Sequence, residues 1–530
     1  MEPSSNAGNL ILAVGTIVSA TVLVFFSLAI HRLYFHPYAR YPGPFFAKIT
    51  SWYSVYHTYI GDLHTDIWMC HEKYGDTVRY GPNRLLVNTE TGLRSIYSHG
   101  RNVRKSKSYH RISLVKGVEA TQSVVNQQTH AKLRRILSQG LSESYLKSFA
   151  SQIQDVATLF CDRLGGQEAE GERRCVDQDG WTLPKNMAHW CDYFTFDIMS
   201  RLVFGSSYDM LSSSENRWIV GAIEGQLRRI SFLNQLPEAE DLGLHRLLFS
   251  DARRRALGLS RKSKAMMEAR TSEKNIKQST GTTADLFSVL LAAKDPETGE
   301  SLSQAQLWAE SNLLIIAGSD TTSTAMAATF FYLARHPRAY KRVTQEVRRK
   351  FNSCREVIQG PDLASCVYLR ACITEAMRLS PPASGALWRE VLPGGLTIGD
   401  MYIPEGLDIG TGVYALNHNG NYFPEPFEFR PERWIPEEVG QEAVTRANSA
   451  IATFSIGPRN CIGKSFAFME MSMAMASVIC ELDFKVASGD LGRVGEGNGI
   501  FKGQYQTTWA FTSLKDGPCV QFKYVDKVQR

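Results

Sequence analysis

The stretch FSIGPRNCIG, residues 454–463, lies near the C-terminus and has the pattern Phe-x-x-Gly-x-Arg-x-Cys-x-Gly. It places one cysteine, Cys461, in a turn with glycines on both sides. A long apolar stretch follows and predicts a helix from about residue 464 to 482. Gly457 and Gly463 allow backbone conformations, and a close approach to a flat group, that a Cβ atom would block. The segment therefore predicts a tight loop that presents its cysteine at the start of a buried helix.

The residues around Cys461 favour a thiolate ligand for haem iron. A metal-bound sulfur must be deprotonated, and the N–H groups of the turn with the dipole of the next helix are expected to lower the pKa of the thiol. Phe454 would keep water off the sulfur, and the Arg459 guanidinium can pair with a haem propionate. An isolated cysteine is more often an ordinary buried residue. A haem thiolate favours cleavage of an O–O bond.

The stretch AGSDTT, residues 317–322, lies midway in a helical pattern from about residue 303 to 335. Gly318 weakens that helix, and the Thr321 hydroxyl can bond to a carbonyl one turn earlier, so a groove for dioxygen and a water can open here. Asp320 is a costly residue in an apolar stretch unless a function uses it. We predict that Thr321 holds the bound oxygen and that Asp320 relays protons. A core helix with a satisfied aspartate is the alternative.

Glu375 and Arg378 form an E-x-x-R pair, and residues three apart share a helix face. An exposed pair of this kind contributes little, whereas a buried pair needs further partners. Arg433, in the stretch FRPERW (429–434), is the predicted third member. We assign this triad a structural role: it locks the segment that leads to the cysteine loop.

Two further stretches supply candidate partners for a haem propionate. In HAKLRR, residues 130–135, a helix can aim Arg134 inward and leave Lys132 and Arg135 outside. Arg389 is another candidate. The alternatives are a solvated basic helix face for Lys132 and Arg135, and a surface salt bridge, for example to Glu390, for Arg389.

These four motifs, in this order and spacing, resemble those of the cytochromes P450, the haem-thiolate monooxygenases, and the resemblance covers nearly the whole chain. It implies a mainly α fold with a small β-region, a single haem domain and haem b as the cofactor. One departure is His130, which stands four residues before Arg134 where the family often has tryptophan; it is still expected to donate to a propionate. The stretches YFHP (34–37) and YPGP (41–44) resemble the fungal secondary-metabolite branch.

The N-terminal run from residue 10 to 30 is almost wholly apolar. Its 21 residues span roughly 30 Å as a helix, enough to cross a bilayer core. A cleaved signal peptide is the alternative, but no basic region precedes the run. The basic residues follow it, which places the bulk of the chain in the cytoplasm. We predict a membrane anchor (1–33), a proline-rich hinge (34–48) and a catalytic domain (49–530); the resemblance suggests the endoplasmic reticulum membrane.

Charge, cysteine spacing and further periodic patterns limit the interpretation of the rest of the chain. The net charge of +6 is too small to indicate nucleic-acid binding, and the ten cysteines form no C-x-x-C pair. Further patterns predict helices over about 142–164, 187–204 and 257–268 and strands near 78–80, 85–87, 396–398 and 402–403. By resemblance, four regions face the substrate: 106–128, 208–247, 383–387 and the turn at 500–501.

The expected reaction is hydroxylation of a largely apolar small molecule. Because no G-x-G-x-x-G motif follows a strand, the electrons must come from another protein. The resemblance implies an NADPH–cytochrome P450 reductase, with cytochrome b5 as a further donor, docking on a basic patch of Lys132, Arg135 and Lys464. Oxidative coupling, cyclisation or desaturation, chemistry driven by peroxide, and a membrane-held haem sensor are the alternatives.

Overall fold

The structure is a computed structural model that describes residues 4–112, 115, 117–167, 176–271 and 285–526. Most of these residues are helical, as the sequence predicts. The helices are, in chain order, α1 (Ser4–Ile30), α2 (Phe45–Ile49), α3 (Trp52–Ile60), α4 (Leu63–Tyr74), α5 (Glu90–Tyr97), α6 (Gln127–Gly140), α7 (Glu143–Ser148), α8 (Ala150–Leu164), α9 (Met187–Phe204), α10 (Trp218–Gln235), α11 (Glu238–Asp241), α12 (Leu244–Leu248), α13 (Ser250–Thr271), α14 (Leu286–Ala292), α15 (Gln304–Arg335), α16 (Pro337–Lys350), α17 (Pro361–Ala364), α18 (Val367–Leu379), α19 (Val413–Asn417), α20 (Pro436–Val439), α21 (Gln441–Ala450) and α22 (Lys464–Glu481).

Short strands form a small β-region. They are β1 (Thr77–Gly81), β2 (Arg84–Val87), β3 (Val103–Lys105), β4 (Lys185–Asn186), β5 (Arg389–Val391), β6 (Leu396–Ile398), β7 (Met401–Ile403), β8 (Asp408–Gly410), β9 (Leu482–Val486), β10 (Thr508–Ala510), β11 (Thr512–Leu514) and β12 (Cys519–Tyr524). One sheet has the order β1-β2-β8-β5-β3, with only the β2–β8 pair parallel. A second has the order β4-β12-β9, and β6–β7 and β10–β11 are separate hairpins.

Helix α15 runs through the main core. It begins with a capping box, in which Ser303 and Gln306 each bond through the side chain to the other's backbone N–H. Helices α9, α18 and α22 pack against it, and nearly every residue from Ser319 to Leu333 is buried. A helix enclosed in this way presents its functional residues at a fixed position, because packing on several sides holds it.

The N-terminal helix stands apart from that core. Residues Ile11–Phe35 are long and apolar enough to cross a membrane, and within this stretch only Ala29 is buried. The segment 34–48, predicted as a hinge, lies against β1: Arg79 N–H donates to the Pro42 carbonyl at 2.7 Å. A Cβ atom at Gly43 would lie 2.3 Å from the Arg79 carbonyl oxygen. The segment is therefore fitted to the edge of the first sheet.

The helix boundaries follow the sequence closely in the core and less closely elsewhere. The patterns over 303–335 and 187–204 correspond to α15 and α9. The pattern over 142–164 is divided, because α7 ends at Ser148 and α8 begins at Ala150, with Phe149 buried between them. The pattern over 257–268 is the inner part of the longer α13.

Candidate functional site

The cysteine loop is held by its own backbone and by helix α5. The Cys461 N–H donates to the Phe454 carbonyl at 2.9 Å. Gly457 has a φ of +73°, and a Cβ atom there would lie 1.9 Å from the Tyr97 carbonyl oxygen. Only glycine fits this position. Gly457 therefore packs closely against the end of α5, and it also borders the cavity that Arg134 and Arg459 line. An added Cβ at Gly463, by contrast, would meet no atom within 4 Å.

Cys461 differs from the other cysteines in its exposure. Of the nine cysteines in the described ranges, it alone is exposed and the other eight are buried. It faces a cavity of about 310 Å³. The opposite wall is the middle of α15, including Gly318 and Thr321, and Phe454 and Gly463 line the cavity beside the sulfur. The structure therefore brings the two most informative motifs together across one cavity.

Protein atoms surround Cys461 closely enough to shift its acidity. Burial raises the pKa of the Cys461 thiol, while the Gly463 N–H and the charges of Arg134 and Lys464 act in the opposite direction. The Gly463 N–H lowers the pKa of the thiol as expected, but in the protein alone the loss of hydration outweighs this and the two cationic contributions. The donors that were expected around the sulfur are nonetheless present.

The middle of α15 carries the predicted threonine. The Thr321 hydroxyl donates to the Ala317 carbonyl at 2.7 Å, one turn earlier, and Thr321 borders both the Cys461 cavity and a second cavity of about 210 Å³. Gly318 meets helix α9, since a Cβ there would lie 2.6 Å from the Met199 sulfur. The glycine therefore permits close helix packing at the point where Thr321 faces the cavities.

Asp320 is buried and incompletely paired. Its Oδ1 lies 3.9 Å from the Lys515 ammonium, and within the described part of the chain its Oδ2 has no hydrogen-bond partner. Burial raises the pKa of the Asp320 carboxyl, and the Lys515 charge opposes this shift. Asp320 is thus not the fully satisfied core aspartate of the alternative interpretation.

A group of basic side chains lines one end of the site. A cavity of about 650 Å³ is bordered by His130, Arg134, Arg389, Arg459 and Lys105. Burial and the four surrounding cations lower the pKa of His130 to about 3, so that its imidazole is neutral. Burial and the neighbouring arginines lower the pKa of Arg459 to about 10. Among the described residues none of these groups forms a salt bridge, so the cluster holds uncompensated positive charge.

Backbone carbonyls orient these arginines. Arg134 donates to the Asn460 carbonyl at 2.7 Å, and Arg459 donates to the Val124 carbonyl at 2.8 Å. Arg389 is buried and donates to the Trp388 carbonyl at 3.0 Å. The alternative of a surface salt bridge from Arg389 to Glu390 is wrong, because Glu390 points the other way in the sheet and pairs with Arg104.

Lys105 belongs to this group and was not identified from the sequence. The β3–β5 register places it directly opposite Arg389, and its ammonium lies 4.4 Å from the centre of the Tyr109 ring. Burial and the charges of Arg389 and Arg459 lower its pKa well below the ordinary value. A lone lysine in a short strand carries no motif, so only the strand pairing reveals it.

Comparisons with known proteins agree with this geometry. The sequence profile described as cytochrome P450 matches residues 42–506. The chain belongs to the cytochrome P450 family. It is 57% identical to cytochrome P450 monooxygenase apf7 of Gibberella fujikuroi over 504 residues, which cover 94% of this chain and 95% of that relative. It is 39% identical to cytochrome P450 monooxygenase atnE of Emericella nidulans (97% of each chain) and 40% identical to cytochrome P450 monooxygenase AKT7 of Alternaria alternata (96% and 97%).

The predicted family, fold class and enzyme class are thereby confirmed: the protein is a P450 monooxygenase, and the family uses haem iron. The residues match that chemistry in three independent respects. One cysteine is exposed to a cavity, the basic group beside it lacks counter-ions, and a threonine faces the cysteine from α15. An iron porphyrin with two carboxylates is the ligand that such a site can accept.

The E-x-x-R motif of this P450 is a buried, fully bonded cluster. Arg378 donates to both Glu375 oxygens, at 2.9 and 2.8 Å, and Arg433 donates to Oε1 at 3.1 Å. Trp434 Nε1 supplies a further donor to Oε2 at 2.9 Å. Arg378 also donates to the Asn417 carbonyl at 2.9 Å. The cluster ties α18 to the irregular segment before the cysteine loop.

The second, 210 Å³ cavity is the candidate substrate site of the P450. Its walls are mostly apolar. They come from the 106–128 region (Tyr109, Ile112, Gln122), from α10 (Leu227, Ile230, Asn234), from α15 (Leu313, Ile316, Thr321), from residues 383–387, and from Trp509, Phe511 and Thr512. Three of the four predicted substrate regions contribute. The turn at 500–501 does not, because Phe501 packs against Trp68, and the β10–β11 hairpin takes its place.

The loop over these cavities is tied to α15 by a second buried carboxyl. Glu310 Oε1 accepts from the Thr121 N–H and hydroxyl, at 2.6 and 2.7 Å. Its Oε2 has no hydrogen-bond partner in the described ranges. Burial raises the pKa of Glu310 to about 7, although the Thr121 bonds act to lower it. The sequence interpretation missed this residue, since a single glutamate in an amphipathic helix start gives no distinctive signal.

The predicted basic docking patch is largely neutralised. Lys132 pairs with Glu300, and Arg135 pairs with Asp295 at 2.6 Å and with Glu297 at 2.9 Å. Lys464 is exposed and forms no salt bridge among the described residues. The patch therefore retains one free cation of the three that were predicted, because an acidic loop after α14 covers the other two.

Proposed function

We propose that this P450 uses haem b held by Cys461 and takes two electrons from NADPH–cytochrome P450 reductase. It then hydroxylates a largely apolar small molecule in fungal secondary metabolism. The observation that carries the proposal is the exposure of Cys461, alone among the described cysteines, to a cavity whose far wall holds Thr321. When bound, the haem supplies the activation of dioxygen that oxidises an unactivated C–H bond.

The residues on the cysteine side would hold that group. Cys461 would hold the haem iron through its sulfur, and Gly463 would leave space beside that sulfur for a flat group. Arg134, Arg459 and Lys105 would pair with the two propionates, because their charges lack partners and a carboxylate relieves their mutual repulsion. The neutral His130 would donate a hydrogen bond to the same carboxylates, in place of the tryptophan that the family often has.

Arg389 would pair with the same carboxylates as these cations. Its neighbour in the sheet is Lys105, and its guanidinium lies 4.8 Å from the centre of the Tyr97 ring. Phe454 would shield the sulfur, since its ring packs against Phe468 at 5.4 Å. The site thus combines an apolar wall beside the sulfur with a cationic edge. This combination suits a largely apolar cofactor that carries two carboxylates.

On the distal side, Thr321 and Asp320 would manage protons. The Thr321 hydroxyl borders both cavities and is held by the Ala317 carbonyl. The raised pKa of Asp320 brings its proton affinity closer to neutral pH, which suits a group that gives and regains protons. The apolar walls of the substrate cavity would exclude water and accept an apolar molecule.

The anchor would place the enzyme on the cytoplasmic side of the endoplasmic reticulum membrane, with residues 1–33 as the anchor and the catalytic domain from residue 49. A second surface supports this orientation. Val55 of α3 packs with Leu233 of α10 and Ala239 of α11, and these elements and their neighbours α2 and α12 carry several exposed apolar residues. They are Phe45, Phe46, Trp52, Tyr56, Tyr59, Leu242, Leu247 and Leu248. Such a patch suits a lipid surface.

The proposal is tested with the full-length protein and NADPH–cytochrome P450 reductase in microsomes. They are incubated under labelled dioxygen with an extract from cultures that lack this gene. The expected result is a product that carries one labelled oxygen and requires NADPH. A product that has lost hydrogen without gaining label would replace hydroxylation by coupling, cyclisation or desaturation. Full conversion with peroxide alone would show that the enzyme does not need the reductase.

A further inference from the structure

A buried charge cluster adjoins Asp320. Lys515 follows β11 and reaches back into the core with a side chain that is 4% exposed. Its ammonium donates to Asp192 Oδ1 of α9 at 2.8 Å, and it lies 3.9 Å from Asp320 Oδ1. The one lysine therefore stands between two carboxyl groups that come from different helices.

The partners are not equally bound. Asp192 Oδ1 also accepts the Ser323 hydroxyl at 2.6 Å, so this carboxylate is fixed by two donors. Asp320 has the longer contact to Lys515 and an interaction with the Thr512 side chain, and within the described ranges its Oδ2 lacks a partner at normal hydrogen-bond geometry. The backbone at Asp320 is itself held, because the Thr324 hydroxyl donates to the Asp320 carbonyl at 2.8 Å. The backbone of Asp320 is thus fixed by a hydrogen bond, whereas its carboxyl group is held less tightly.

A fourth ionisable group interacts with the cluster from helix α10. Glu224 of α10 is half-buried and interacts electrostatically with Asp192, Lys515 and Asp320. Burial and the nearby Asp192 raise the pKa of Glu224, as they do for Asp320. Arg228, one turn further along α10, is exposed. Lys515 alone cannot balance the two buried carboxylates of Asp192 and Asp320, so the cluster holds a proton at its more weakly bonded member.

We propose that Lys515, fixed by Asp192, is a positioning residue that holds the Asp320 carboxyl beside Thr321 and makes Asp320 the proton-carrying member of the cluster. This inference rests on the proposed function only for the destination of the proton. The role of Lys515 follows from the lengths of its two contacts.

The test is infrared spectroscopy of the purified holoprotein, titrated with acid and base. The carboxyl band of Asp320 is assigned by its loss in Asp320→Asn. Lys515→Met removes the cation and is expected to move the midpoint of this band to higher pH by about one pH unit. Asp192→Asn removes an anion, leaves Lys515 free for Asp320, and moves the midpoint to lower pH. The charged or titratable groups that face the pair are Cys191, Asp192, Glu224, Arg228, Tyr505 and Lys515.

Two controls separate positioning from general damage. Lys515→Arg keeps the charge and is expected to restore the midpoint of the Asp320 band. Ser323→Ala removes one donor to Asp192 but no charge and leaves the midpoint within about 0.3 pH units of wild type. Where either single variant fails to fold, the double variant Asp192→Asn/Lys515→Met removes both charges of the tight pair together. Its midpoint is expected between those of the two single changes.

Shifts in the same direction, or no shift, in Lys515→Met and Asp192→Asn would overturn the inference. A midpoint that Lys515→Arg moves as far as Lys515→Met does, or a double variant shifted beyond either single change, would overturn it as well. These outcomes do not bear on the roles proposed for Cys461 and Thr321, because the infrared measurement needs neither reductase nor substrate. Failure of the labelled-oxygen experiment, in turn, overturns the proposed function and leaves the midpoints of the Asp320 band as they are.

Discussion

Two buried charge clusters in this P450 differ in how completely their polar atoms are bonded. Around Glu375, both carboxylate oxygens accept donors from Arg378, and Arg433 and Trp434 add one each. Around Lys515, Asp320 has a 3.9 Å contact, an interaction with the Thr512 side chain, and one oxygen without a well-formed hydrogen bond among the described residues. Both clusters lie in the core, so burial alone does not distinguish them.

This difference distinguishes a cluster with a structural role from a cluster that can exchange a proton. A carboxylate that accepts every available donor has no reason to change its protonation, and it fixes the chain around it. A carboxyl with an unpaired oxygen is costly to keep, so selection retains it where a proton must move. Glu310, with one bonded and one unpaired oxygen, is intermediate. The following changes test this distinction from the largest expected effect to the smallest.

Glu375→Ala strands two buried arginines, so it is expected to destabilise the fold by about 3–5 kcal/mol and to leave little holoprotein. Thermal unfolding and haem content measure this effect. The matched control is Glu425→Ala, which breaks an exposed pair with Arg430 and changes stability by less than about 1 kcal/mol. Equal stability of the two variants would contradict the structural role of the cluster.

Glu310→Gln keeps the acceptor for Thr121 and removes the charge. Burial raises the Glu310 pKa from 4.5 to about 7 in the folded protein, so the folded state binds the proton more tightly. The wild type therefore loses about 3 kcal/mol of stability relative to the variant as pH rises from below 4.5 to above 7. Chemical unfolding of wild type and variant at pH 5 and pH 8 measures this difference. If the stability of both proteins changed equally between these pH values, Glu310 would be ionised throughout this range.

Thr321→Ala removes the hydroxyl that faces both cavities and is expected to lower the coupling of NADPH use to product about 10-fold, with peroxide as the by-product. Thr329→Ala is the control: its hydroxyl donates to Ala325 at 2.8 Å in the same helix but lies in the core. Coupling that falls equally in both variants would assign the effect to the helix and not to the cavity.

Lys464→Glu reverses the one basic residue of the docking patch that lacks an ion pair and is expected to raise the apparent KM for reductase several-fold at low salt. Lys132→Glu should do less than Lys464→Glu, because Glu300 already neutralises Lys132. Reductase titrations at two salt concentrations measure both. A larger effect at Lys132 would place the docking surface on α6.

The sequence was sufficient where a signal is local. The Cys461 loop, helix α15 and the E-x-x-R pair each lie within one short stretch, and their spacing alone predicts their geometry. Lys105 and Lys515 were missed because their partners are far along the chain and meet them only through strand pairing and a hairpin. The contact of Gly457 with Tyr97 was missed for the same reason, since Tyr97 comes from a distant helix. The sign of the Cys461 pKa shift depends on burial, which the motif does not encode.

The most direct test of the central assignment is the carbon monoxide difference spectrum of the reduced, purified protein, compared for wild type, Cys461→Ala and Cys480→Ala. Cys480 is buried in the same helix region and does not face the cavity. The expected result is the red-shifted thiolate band in wild type and in Cys480→Ala, and its loss in Cys461→Ala. A thiolate band that persists without Cys461, or a wild-type spectrum typical of imidazole ligation, would contradict the assignment.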